Sequence, residues 1–229
     1  MTKKAETNKH ICQHCKKSFV RERTLFTHAC EPRRRMETRN NKEIIIAFDT
    51  FQKFYRQMQH IERTYEQFIT SNYYIAFVKF GNYCVNSKVI SVSRYANYLI
   101  KNEIRIDDWN KDKTYEDFLK QIIRIETADE ALERTINFSI KWSDEKQMNS
   151  NDLFRACSTF SLIRAINDGK ISPWVIYQSI SGPEMLQKMN GEGIEMIWDM
   201  IDPEFWNTKF DNNKDDVTFL KTVLKDGGW

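Results

Sequence analysis

Apolar residues recur at helical intervals along most of this chain. In EIIIAFDTFQKFYRQMQHIERTYEQFI, residues 43–69, Ile44, Phe48, Phe51, Phe54, Tyr55 and Met58 fall three or four positions apart. That is the period of one helical face, and it predicts a long amphipathic helix. YYIAFVKFGNY, residues 73–83, follows as a short apolar segment with Gly81 as its stop. VSRYANYLIKN, TYEDFLKQIIRI and ADEALERTINFSIKW repeat the period, with Ser93 and Thr114 near N-cap positions. NDLFRACSTFSLIRAINDG opens on Asn/Asp capping chemistry and closes on Gly169, a helix stop. SPWVIYQSI, PEMLQKM, EMIWDMI and DPEFWNTKF read as short helices opened by Ser-Pro, Gly-Pro and Asp-Pro. Seven Gly and four Pro leave little punctuation for tight β-hairpins. The pattern predicts a mainly α fold, with an all-helical domain over 43–225. Trp174 belongs to its core beside Ile171, Val175 and Ile176, and the terminal GGW is expected to fray.

The front of the chain departs from this pattern. CQHCKKSFVRERTLFTHAC, residues 12–30, reads C-x2-C-x12-H-x-C. Two cysteines on a tight knuckle present thiolates to one side, and a short helix returns His28 to the same point. Phe19 and Leu25 fill the space between, because so few residues cannot form a core without a metal. This predicts a small zinc finger (ββα-like) over 11–31, with Cys12, Cys15, His28 and Cys30 holding Zn2+. His10 and His14 are alternative fourth ligands with poorer spacing. Residues two apart on an α-helix point about 200° from each other, so His28 and Cys30 cannot both bind from a regular helix. The helix is expected to end near His28, before Glu31-Pro32, with Cys30 reaching back from the exit turn.

Charge gives the finger a context. Residues 1–42 hold twelve Lys/Arg against four Glu, a net +8, which leaves −5 for 43–229 out of the chain's +3. A basic head on a mildly acidic body suits nucleic-acid contact. Residues 1–10 read as a flexible N-terminus and 32–42 as a basic linker, whose Arg33, Arg34, Arg35 and Arg39 would meet phosphates without reading sequence. Three of five cysteines crowd into 12–30, which favours metal binding in a reducing interior over disulfides. With no apolar run of about 18 residues and no apolar leader, the expectation is a cytoplasmic protein without a membrane partner.

No catalytic pattern stands out. There is no Gly-rich phosphate loop, no G-x-S-x-G and no H-E-x-x-H. His60 falls within the first helix pattern and reads as a surface residue. Asp107-Asp108 and Asp129-Glu130-Glu133 read as solvated faces, and Cys84 and Cys157 as small core residues. The chain is therefore expected not to be an enzyme.

The segment 12–30 resembles C2H2-type zinc fingers, which place their small core where Phe19 and Leu25 stand. That resemblance implies Arg21, Arg23, Thr24 and Thr27 as the positions facing base edges. The order of finger, YYIAFVKFGNY and DGKISPWVIYQS is similar to proteins of T-even-like bacteriophages. YLIKNEIRIDDWNKDKTYEDFLKQI, NDLFRACSTFSLIRAINDGKISPWVIYQS and IWDMIDPEFW also resemble the phage replicative-helicase loader family, over roughly residues 73–210. That family is two-domain and all-helical, and its first domain is an HMG-like DNA-binding unit without zinc. A finger and a basic helix would stand in that place here. The resemblance implies an accessory role in phage DNA replication or recombination, at forked, duplex or single-stranded DNA. The implied partners are a replicative helicase or a single-strand-binding protein, and the implied location is the host cell interior. A structural or adaptor protein whose finger docks protein, and a transcription regulator, are the other readings; the finger's target can equally be RNA.

Overall fold

The computed structural model describes residues 10–229. The expected flexible N-terminus lies outside the described residues except for His10. The chain divides into two compact units, Met1–Lys111 and Asp112–Trp229. The division falls inside the stretch expected as one helical domain, 43–225.

In the first unit, β1 (His10–Ile11) and β2 (Ser18–Phe19) form an antiparallel pair, followed by α1 (Glu22–Phe26) and α2 (Glu31–Glu37). Four further helices carry the core: α3 (Lys42–Gln59), α4 (Tyr65–Thr70), α5 (Tyr74–Asn86) and α6 (Val92–Lys101). The helix expected over 43–69 is thus two helices. His60 takes a left-handed conformation (φ 56°) that ends α3. Thr64 then opens α4 with a capping box, its hydroxyl accepting from the Gln67 N–H while the Gln67 side chain accepts from the Thr64 N–H. The period runs through the break because both sides face one aromatic core. Phe68 lies 5.6 Å from Phe48 and 5.1 Å from Phe51, centroid to centroid. Trp109 stands edge-on to Phe77 and Phe80, and its indole N–H donates to the Ile104 carbonyl.

Gly81 does not stop α5, which continues to Asn86. A Cβ there would sit 2.1 Å from the Glu43 carbonyl oxygen, so the missing side chain lets α5 approach α3. Helix α6 starts after Ser91 rather than at Ser93.

The second unit runs α7 (Asp112–Ile125), α8 (Ala128–Lys146), α9 (Leu153–Ala156), α10 (Thr159–Asn167), α11 (Pro173–Gln178), α12 (Ser181–Lys188), α13 (Gly191–Ile201), α14 (Pro203–Asn212) and α15 (Lys214–Asp226). Asp112 precedes Thr114 as the start of α7. The helix expected across Cys157 is broken there, and the Ser158 hydroxyl caps α10 by accepting from the Ser161 N–H. Trp174, Ile171, Val175 and Ile176 are all buried, and Trp174 packs against Trp206 and Phe210. The terminal tryptophan does not fray. Trp229 is buried, its carbonyl accepts from the Ile180 N–H, and its ring packs on Phe154.

A charged network lies within this unit. Glu126 is only 3% exposed and pairs with Arg134 at 2.5 Å. It also accepts from the Ser172 hydroxyl, which caps α11. Lys209 donates to the carbonyls of Arg124 and Glu126 at the end of α7, and stands 5.2 Å from the rings of Trp174 and Trp206. Burial lowers the Lys209 ammonium pKa, against the opposing pull of Glu126. A buried carboxylate held this way is costly to isolate.

Candidate metal centre

The hairpin and α1 bring the candidate ligands together. The Cys12 N–H donates to the Lys17 carbonyl at 2.9 Å, and the Lys16 N–H donates to the Cys12 carbonyl at 2.9 Å. Lys16 closes the knuckle in a left-handed conformation (φ 61°). Beyond the hairpin, α1 ends at Phe26, and the His28 N–H still reaches the Leu25 carbonyl. Cys30 is extended (φ −110°, ψ 156°). The backbone from His28 to Cys30 is outside any helix, which removes the angular conflict between ligands two residues apart.

Four donor atoms converge as a result. The Sγ atoms of Cys12, Cys15 and Cys30 and a ring nitrogen of His28 all lie within 4.8 Å of one another. Cys12 Sγ is 3.9 Å from Cys30 Sγ, and Cys15 Sγ is 3.2 Å from His28 Nε2. A tetrahedral zinc with the usual bond lengths has S···S edges of about 3.8 Å and S···N edges of about 3.6 Å. Three thiols and one imidazole at these separations fit a closed metal site. His10 and His14 are not part of the cluster. Phe19 packs on the His28 ring at 4.7 Å between centroids, and Leu25 is half-buried on α1.

The knuckle also prepares one thiol. Backbone N–H groups, Cys15's foremost and then His14's, point at Cys12 and hold its pKa down at about 7, against burial. Thiolate is the form that binds metal. Burial raises the Cys30 pKa, with the Arg33 N–H opposing it. Cys84 and Cys157 lie apart from this chemistry; burial pushes the Cys84 thiol up to about 12 and raises that of Cys157.

The stretch expected as a basic linker is helical over Glu31–Glu37. Cys30 is its N-cap residue, and Pro32 sits in the first turn, where a missing N–H costs nothing. Glu31 is therefore helical although it precedes a proline. The arginines are spaced to pair along the helix: Arg33 with Glu37 at 3.1 Å, Arg34 with Glu31, and Arg35 with Glu31 at 3.3 Å. Arg33 also donates to the His28 carbonyl, tying α2 to the finger. Arg35 is the least available of the three. Its side chain is 17% exposed, donates to the Ile69 carbonyl at 2.6 Å and lies 4.1 Å from the Tyr74 ring centroid. It joins α2 to the helical core of its unit instead of facing solvent, whereas Arg34 and Arg39 are exposed.

On the finger, Arg21, Arg23, Thr24 and Thr27 are all exposed. Arg21 is the N-cap residue of α1 and Thr27 its C-cap, so the helix offers little more than one turn. Phe26 escaped the sequence reading although it is 84% exposed. The clue was available: Phe19 and Leu25 already complete a core of finger size, which leaves Phe26 surplus. Asp107, Asp129 and Glu133 are exposed, as expected of solvated faces, whereas Asp108 and Glu130 are half-buried, Asp108 pairing with Lys111 and Glu130 closing the capping box of α8; His60 is exposed at the end of α3.

No protein-family model, curated protein or solved structure matches the chain. No helix among the described residues is long and apolar enough to cross a membrane.

Proposed function

We propose that residues 10–30 form a structural zinc module and that the chain is a non-catalytic nucleic-acid-binding protein. The observation that carries this reading is the convergence of Cys12, Cys15, His28 and Cys30. Four protein ligands would close the coordination shell and leave no position for substrate, which is the pattern of a structural site. Zinc bound there supplies the folding energy that Phe19 and Leu25 are too few to provide.

Support for nucleic acid comes from charge. Lys16, Lys17, Arg21, Arg23, Arg39 and Lys42 stand exposed around the finger and α2. Arg34 joins them, because an exposed ion pair with Glu31 is weak enough to exchange for a phosphate. Arg35 serves architecture in this reading. The finer role, bringing a replicative helicase to forked DNA, has the resemblance over residues 73–210 as its support.

The test measures zinc content on the purified chain and titrates it with duplex, forked and single-stranded oligonucleotides at two salt concentrations. One zinc per chain is expected, with affinity falling steeply as salt rises. Stoichiometric zinc with no oligonucleotide binding at low salt would leave a zinc module that docks protein.

A further inference from the structure

We infer that Phe26 is a stacking platform and that the finger binds single-stranded polynucleotide in preference to duplex; this rests on the nucleic-acid reading above. Phe26 is 84% exposed although the finger packs its other large ring, Phe19, against His28. Arg23, Phe26 and Thr27 fall at i, i+3 and i+4 on α1, so they share one face, and all three are exposed. A base needs an aromatic surface and its phosphate needs a cation nearby, and this face places both within one helical turn.

The length of α1 argues in the same direction. Five residues rise about 7.5 Å, too short to lay a row of side chains along a duplex groove. A ring that projects from so short a helix finds no open π-face in a base-paired stack. An unpaired base presents one whatever its identity. Charge complementarity selects polynucleotide over an apolar protein partner, because exposed Lys16, Lys17, Arg21, Arg23 and Arg34 lie within ten positions of Phe26, against exposed Glu22 and Glu31.

Fluorescence anisotropy with the full zinc-loaded chain tests this, using labelled oligo-dT, oligo-U and a duplex at matched salt. Both single strands are expected to bind more tightly than duplex. Phe26→Ala should lose about 5- to 150-fold on single strands, the equivalent of the roughly 1–3 kcal/mol that stacking on one base supplies. Its salt slope and duplex affinity should stay as in wild type, and Phe26→Trp should restore binding. A difference between oligo-dT and oligo-U identifies which polynucleotide is preferred. If Phe26→Ala binds single strands like wild type, stacking is refuted while the nucleic-acid reading survives. Equal losses on single strand and duplex refute it as well. Absence of salt-dependent binding by wild type removes both readings and leaves protein docking.

Discussion

Cys30 belongs both to the cluster that could hold a metal ion and to the N-cap of α2, and the substitution Cys30→Ser separates the two. Serine is favoured at an extended N-cap, so α2 should persist in the variant. Its hydroxyl does not ionise and leaves only three donors for the metal. Structural zinc in small fingers binds with an apparent free energy of roughly 10–16 kcal/mol. Spread over four ligands, that assigns about 2.5–4 kcal/mol to each, or two to three orders of magnitude in affinity. Competition against a metal-binding dye measures the loss directly. Cobalt substitution gives a second readout, since the thiolate charge-transfer band should fall from the intensity of three thiolates to that of two. Far-UV circular dichroism should change little in the variant or in chelator, because the helical core consists of Phe51, Phe68, Phe77 and Trp109 and their neighbours in one unit and Trp174 and Trp206 in the other. Wild-type zinc affinity in Cys30→Ser would falsify the four-ligand site, and a large loss of helix in chelator would refute the independence of the helical core.

Three further outcomes follow from the helical units. Glu126→Ala should destabilise the protein by about 3–5 kcal/mol, because Arg134 is left without its carboxylate in a largely buried site; an unchanged urea midpoint would remove the network's role. Gly81→Ala should cost about 1–3 kcal/mol or more, since its Cβ would meet the Glu43 carbonyl oxygen and force α3 and α5 apart; wild-type thermal stability would contradict that close approach. Burial first, and then Asp202, raises the Tyr177 phenol pKa from 10.0 to about 12. The folded state therefore favours the protonated phenol, and its contribution is complete below pH 10 and lost as pH rises towards about 12. Alkaline denaturation of Tyr177→Phe should lack that part of the pH dependence, and an identical profile would refute it.

Local chemistry alone determined the finger and the helical class. Cys12, Cys15, His28 and Phe19 are legible because a candidate metal site this small must encode its donor residues and its packing within one short stretch. Helices such as α6, α7 and α8 are legible because each buries one stripe, and the stripe repeats along the chain. The same logic placed the end of α1 before Cys30, since two ligands two residues apart cannot share a helix. Tertiary structure decided the rest, where meaning depends on a distant neighbour. Periodicity could not reveal the break at His60, because Phe48 and Phe51 of α3 and Phe68 of α4 pack into one aromatic core. Gly81 looked like a stop until α3 lay against it. Arg35 counted as free charge until the Ile69 carbonyl and the Tyr74 ring, more than thirty positions away, took its guanidinium. Trp229 looked like a loose end until Ile180 and Phe154 held it. Sequence spacing reports which face a residue shares along its own helix, whereas burial, ion pairing and close backbone approach are set by whatever the fold packs on the other side.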